Sequence, residues 1–201
     1  MNATTKKKQV IDYVKHHSLV RSSEVEKKGL PRIYLNQLAQ EGVINHVGHG
    51  LYQWPDVKLD SYAALSEVAK KVPKGVISLL SALSFHEFTS ENPFEVWVAL
   101  ERKSWRPVID YPPVRFVFMS GKSIEEGIDV YTLNGVEVRI FNPAKTVADC
   151  FKYRNKIGLD VALDALKEGW KMKRFTMDEL MHYAEICRVE NVIRPYVEAL
   201  I

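Results

Sequence analysis

Arg32, Ile33, Asn36, Gln37 and Gln40 lie within nine residues of one another. In a helix they share one flank, away from the apolar positions Leu35, Leu38 and Ala39. These residue types read base edges in a major groove. Arg32 reaches guanine, the amide of Asn36 or Gln37 pairs bidentately with adenine, and Ile33 meets a thymine methyl. Lys6, Lys7, Arg21, Ser22, Tyr34 and His49, together with His46, suit contacts to phosphate, which set register without reading sequence. Taken singly, Asn36, Gln37 and Gln40 fit a solvated helix face equally well. The elements that carry them must decide.

Other chemistry finds little support. His16, His17, His46 and His49 fall on separate elements with no carboxylate or cysteine at ligand spacing, so no metal site is expected. Gly121-Lys122-Ser123 resembles the end of a phosphate-binding loop, but Phe116 stands where the earlier glycine is required and no strand-to-helix context is evident. No G-x-S-x-G, H-E-x-x-H or paired Asp-x-Asp motif occurs. His86-Glu87 in an apolar helix reads as structural, and Asp149 beside Lys145 as a helix-surface or hydrogen-bonding acid. No catalytic residue and no cofactor are expected.

The elements around the first group agree with a DNA reader. Val10, Ile11 and Val14 recur at helical spacing in Thr5–His17. Ser22 and Ser23 offer an N-cap, and Glu26 completes a capping box with Ser23. Gly29 ends that second helix within two turns, Pro31 opens a third, and Gly42 closes it. Residues 43–47 and 51–54 then read as strands joined by Gly48-His49-Gly50. Three short helices followed by a hairpin are the pattern of a winged helix-turn-helix, whose third helix enters the major groove.

Charge follows the same division. Residues 1–54 carry eight cations (Lys6, Lys7, Lys8, Lys15, Arg21, Lys27, Lys28, Arg32) against Asp12, Glu24, Glu26 and Glu41, giving +4. The rest of the 201-residue chain has 20 basic and 21 acidic residues, or −1, so a polyanion partner suits the first part. Late in the chain Lys152, Arg154 and Lys156, then Lys167, Lys171, Lys173 and Arg174, gather near helix ends. They complement helix dipoles or form a candidate second basic patch. Cys150 and Cys187 are not a C-x-x-C pair and read as buried reduced thiols. No apolar run is long enough to span a bilayer and no secretory signal is evident, so a cytoplasmic protein is expected.

Pro55–Asp60 breaks the periodicity and is taken as a linker, leaving residues 1–54 as the winged helix and 61–201 as a second domain. Tyr62, Leu65, Val68 and Ala69 predict a helix, and Ser78–Phe88 a buried one. Residues 94–100 alternate, Val114–Met119 reads as a central strand, and 130–133 with 136–140 flank the hairpin signal Asn134-Gly135. Helices are expected over about 143–153, 158–170, 176–188 and 190–200. The fold class is α+β: an N-terminal winged helix-turn-helix, then a larger α+β domain with a small sheet and C-terminal helices.

Three stretches carry a resemblance. Leu35-Asn36-Gln37-Leu38-Ala39-Gln40-Glu41-Gly42-Val43-Ile44 with Gly48-His49-Gly50-Leu51-Tyr52 is the first. The second is Leu80-Ser81-Ala82-Leu83-Ser84-Phe85-His86-Glu87-Phe88-Thr89, leading into Pro93-Phe94-Glu95-Val96-Trp97-Val98-Ala99. The third is Pro143-Ala144-Lys145-Thr146-Val147-Ala148-Asp149-Cys150. Together they resemble the antitoxins of AbiE-type abortive-infection systems, type IV toxin–antitoxin regulators of phage defence. The resemblance implies a repressor of its own operon that binds inverted repeats in double-stranded promoter DNA. It implies opposition to a co-encoded nucleotidyltransferase-like toxin, in many cases without a stable complex, with no membrane partner. It also implies that the second domain carries the antitoxin function and helps cooperative DNA binding, with Leu83 and Val147 as packing residues. The wing departs from the family pattern, having His46 and His49 where an arginine near Gly48 is common. Two alternatives remain: a regulator whose second domain senses a small ligand, and an enzyme or RNA-modifying factor that docks through its winged helix.

Overall fold

Val10, Val14, Val25, Leu35 and Leu38 are fully buried, and they come from three successive helices. Burying each such side chain contributes about 1.5–3 kcal/mol, enough to hold together helices too short to persist alone. The computed structural model describes residues 3–17, 19–48, 50–55, 62–90 and 93–200. They fall into two units, Met1–Lys70 with Thr132–Glu137, and Lys71–Tyr131 with Val138–Ile201. The predicted wing-tip residue His49 and most of the predicted linker lie outside the described residues, as does Ser18, which the sequence suggests as the end of the first helix.

The first unit opens with α1 (Ala3–His17), β1 (Leu19–Arg21), α2 (Ser22–Lys27), α3 (Ile33–Gln40), β2 (Asn45–Gly48) and β3 (Leu51–Gln53). The strands form an antiparallel sheet in the order β1-β3-β2, with Tyr52 opposite Val20 on one side and His46 on the other. Val10, Val14, Val20, Val25, Leu35, Leu38, Ile44 and Tyr52 make its core. Gly29 adopts a left-handed φ of +73°, and Leu30 N–H returns to Val25 O at 3.1 Å, which ends α2 as its glycine predicts. The helix α4 (Ala63–Lys71) follows. Its Ser66 hydroxyl donates to Leu133 O at 3.1 Å and accepts from the Asn134 amide at 3.3 Å.

Local details differ from expectation. Strand β1 was not anticipated, because three residues are too few for a periodic signal. The helix α3 is shorter than Pro31–Gly42. Tyr34 N–H to Pro31 O (3.3 Å) and Leu35 N–H to Arg32 O (3.0 Å) make a tight leading turn, while Gly42 sits in a turn at φ +72°. The expected Ser23–Glu26 capping box is not formed. The helix starts two residues earlier, with Arg21 at the N-cap, and the Glu24 carboxylate accepts the Arg21 N–H at 2.8 Å.

The second unit contains β4 (Val76–Ile77), α5 (Leu79–Phe85), β5 (Val96–Glu101), β6 (Val114–Met119), α6 (Lys122–Glu125) and most of β7 (Ile128–Leu133) and β8 (Val136–Phe141), whose hairpin ends fall in the first unit. Helices α7 (Pro143–Lys152), α8 (Arg154–Ile157), α9 (Leu159–Lys171), α10 (Met177–Cys187) and α11 (Glu190–Glu198) complete the second unit. The sheet order is β6-β5-β4-β8-β7. Strand β4 is antiparallel to β5 and parallel to β8, and β5 is parallel to β6. At the hairpin turn Asn134 and Gly135 both take positive φ, +51° and +72°, as the Asn-Gly signal requires. Helix α7 is the centre of the core, buried from Ala144 through Phe151.

The expected central strand 114–119 is an edge strand, exposing Arg115 and Phe118. Inside it lies β5, whose residues Val96–Leu100 are all buried, so its apparent alternation has no polar face. The chain is thus α+β, as expected, with eleven helices and two sheets among the described residues.

Candidate nucleic-acid interface

On α3 the core pair Leu35 and Leu38 points inward, and Ile33, Asn36, Gln37 and Gln40 are exposed. Ile33 is 57% exposed, a large apolar side chain left in water by a module that buries its other aliphatics well. Arg32 lies just before the helix, its Nε 3.4 Å from Glu26. Tyr34 is half-buried against the module core.

Asn36 is not simply solvated. Its Oδ1 accepts a hydrogen bond from the Tyr52 hydroxyl, which rises from β3. The ring of His46 lies 5.1 Å from that of Tyr52, so the exposed His46 sits beside the same contact. Sequence reasoning missed Tyr52 because its partner is distant in the chain and a strand tyrosine by itself reads as core.

The expected phosphate-contacting residues are more engaged than their types suggest. Lys7 Nζ lies 2.7 and 2.8 Å from the Glu41 carboxylate, tying α1 to the end of α3. Lys6 is half-buried on α1. The Ser22 hydroxyl donates to Gly50 O at 3.2 Å, and the Ser22 N–H to the same oxygen at 2.9 Å, anchoring the residue that leads into β3. Arg21 Nε is buried without a hydrogen-bond partner among the described residues, while Lys70 pairs with Glu24 next to it. The Lys7 and Arg32 ion pairs are partly exposed and worth about 0–1 kcal/mol each, so opening them toward a phosphate costs little.

The candidate second basic patch is partly consumed by structure. Lys152 Nζ donates to Cys187 O at 3.0 Å, and Arg154 to Phe151 O at 2.8 Å, so both satisfy carbonyls at helix ends. Lys156 lies over the Tyr153 ring at 5.6 Å, and Lys171 is 3.4 Å from Glu168. Lys173 and Arg174 are exposed beyond α9, with Lys173 at a φ of +54°.

The remaining polar groups of the second unit are mostly sealed. Lys145 and Asp149 are wholly buried with Nζ 2.5 Å from Oδ2, so of the two readings Asp149 is the hydrogen-bonding acid and not a helix-surface one. Cys187 donates to Asp149 at 3.2 Å, and burial pushes its thiol up to about 12. The His86 ring is buried with Nε2 2.7 Å from Phe141 O, and burial pushes its pKa below the ordinary imidazole value. The strand-to-helix context thought absent at Gly121-Lys122-Ser123 exists, since β6 leads into α6. Phe116 still replaces the first glycine, and the Ser123 hydroxyl donates to Ile186 O at 3.3 Å. A cavity of about 620 Å³ is lined by Leu80, Leu83, Phe88, Val161, Asp164 and Glu168 among others. Among the described residues no cluster of His, Cys, Asp and Glu is placed to hold a metal ion, and no helix is long and apolar enough to cross a membrane.

No curated protein matches the chain. A protein-family model described as "Transcriptional regulator, AbiEi antitoxin" matches residues 8–55, a span that runs from within α1 to just past β3. The module that carries Arg32, Asn36 and Gln37 is therefore similar to the segment described by that family of AbiEi antitoxin transcriptional regulators.

Proposed function

We propose that this protein represses its own operon by binding inverted repeats in the promoter, and that it opposes a co-encoded nucleotidyltransferase-like toxin. In this reading residues 1–54 bind DNA in the cytoplasm, 55–60 link, and 61–201 carry the antitoxin and regulatory function. Arg32, Ile33, Asn36, Gln37 and Gln40 face the major groove. Lys6, Lys7, Arg21, Ser22, Tyr34, His46 and His49 face phosphates. One observation carries the reading: α3 presents base-reading side chains together on its exposed flank, within a module matched to transcriptional regulators. The antitoxin role is supported by the family description and the nucleotidyltransferase-like toxin by the sequence resemblance alone, and no catalytic residue is assigned.

The test is a gel-shift titration of the full-length protein on its own promoter DNA against a scrambled duplex. Preferential binding that is lost on joint replacement of Arg32 and Asn36 by alanine supports the reading. Equal weak binding to both duplexes rejects it. A second reading, a regulator that senses a small ligand, is favoured by the 620 Å³ cavity, whose size suits such a molecule. It predicts that a metabolite which shifts the melting temperature also shifts operator affinity, and that Leu83→Trp abolishes both effects.

A further inference from the structure

The exposed flank of α3 contains one side chain whose orientation is set from outside the helix. Tyr52 is 4% exposed, lies in the module core, and occupies the middle strand of the three-stranded sheet, paired on both sides. A ring fixed in this way does not follow a side chain on a neighbouring helix. Asn36, exposed and with two torsions of its own, follows the ring instead, and its Oδ1 takes the Tyr52 hydroxyl proton. The carboxamide is planar, with acceptor oxygen and donor nitrogen on different atoms, so an oxygen engaged by Tyr52 leaves Nδ2 as the group able to donate to a base.

Building on the DNA-binding reading, we infer that Tyr52 is a positioning residue that makes Asn36 a donor-only reader of base edges. An unconstrained asparagine pairs bidentately with adenine, using Oδ1 for the N6 amino group and Nδ2 for N7. With Oδ1 turned to β3, Asn36 offers N–H alone. It then selects an acceptor edge, guanine O6 and N7 or thymine O4, and rejects cytosine, whose major-groove edge is a donor. Adenine retains only its N7 and loses its advantage. The expectation that either Asn36 or Gln37 pairs with adenine narrows to Gln37. His46 flanks the Tyr52 ring on its other strand, so the wing helps hold the hydroxyl that sets the specificity of α3.

Full-length wild type, Asn36→Ala and Tyr52→Phe are titrated on the promoter duplex with each base pair varied in turn, and on scrambled DNA. Asn36 is exposed, so its truncation locates the base pair it reads as the one whose preference flattens. Wild type is expected to favour guanine or thymine there. Tyr52→Phe keeps the ring and removes the hydroxyl; it is expected to shift that pair toward adenine by about fivefold or more, with other positions and scrambled-DNA affinity unchanged. The inference is overturned by a wild-type preference for adenine or cytosine at that pair, by a Tyr52→Phe profile identical to wild type, or by an Asn36→Ala profile that flattens nowhere. The wild-type preference is a readout that does not depend on Tyr52→Phe folding. A wild-type profile flat at every position rejects the DNA reading itself, which keeps the two failures apart.

Discussion

Lys145 and Asp149 sit one helical turn apart in α7 with no exposed surface, and their charged atoms approach to 2.5 Å. The pair is further held by the Phe141 ring, 4.1 Å from Nζ, and by the Cys187 thiol on the other carboxylate oxygen. Burying two ions costs several kcal/mol each, so the pair is tolerated only because each compensates the other. Asp149→Ala is therefore expected to lower stability by about 3–5 kcal/mol, measured by urea denaturation, because it strands the lysine charge. Changing both, as Lys145→Met with Asp149→Leu, is expected to recover most of that loss. Equal losses in the single and double variants would show that packing rather than charge is at stake. The sequence hides this arrangement. A Lys and an Asp four apart normally mark a solvated face, and only the burial of α7 on every side changes their meaning.

At the scale of elements, helix caps are set by local motif and tertiary surroundings together. Thr176 caps α10 through a reciprocal box: its hydroxyl accepts the Glu179 N–H at 3.2 Å, and the Glu179 carboxylate accepts the Thr176 N–H at 2.7 Å. These hydrogen bonds, the backbone one first, hold the Glu179 carboxyl below its ordinary range. A folded pKa below the unfolded one means the contribution is full at neutral pH and is lost as pH falls through the lowered value. Thr176→Ala is expected to cost about 1 kcal/mol at neutral pH. The smaller difference between wild type and Glu179→Gln is expected to close on acidification, which melting curves from pH 7 to about pH 3 would follow. A difference that grew toward acid would reverse the sign and exclude the box as its source. Near Ser22 the same kind of motif was misread, since the Ser22 hydroxyl goes to Gly50 across the sheet and Glu24 takes the capping role. Long periodic helices such as α9 and α10, and the Asn134-Gly135 hairpin, were evident because their signals are local. Strands β1 and β4 and the single-turn helices α6 and α8 were not, because pairing partners and neighbours create them rather than sequence period.

At the scale of the whole chain, charge is divided as its proposed work is divided. The first 54 residues carry +4 and the remainder −1. Several cations outside the first segment already serve helix ends, Lys152 and Arg154 most directly, which argues that they stabilise the fold rather than bind DNA. If the module contacts about 4–6 phosphates, log K against log salt should fall with a slope of roughly −4 to −5. Replacing Lys6 or Arg21 by glutamine should weaken operator and scrambled DNA alike and make the slope shallower by about one each. Replacing Lys171, Lys173 and Arg174 together should leave the slope unchanged. Arg21 is the sharper test of the two N-terminal residues. Its Nε is buried without a partner among the described residues, and an arginine already paying for that desolvation gains more from an arriving phosphate than a hydrated lysine does. A slope that responded instead to the Lys171–Arg174 group would place the polyanion on the second unit and move the DNA-binding surface there.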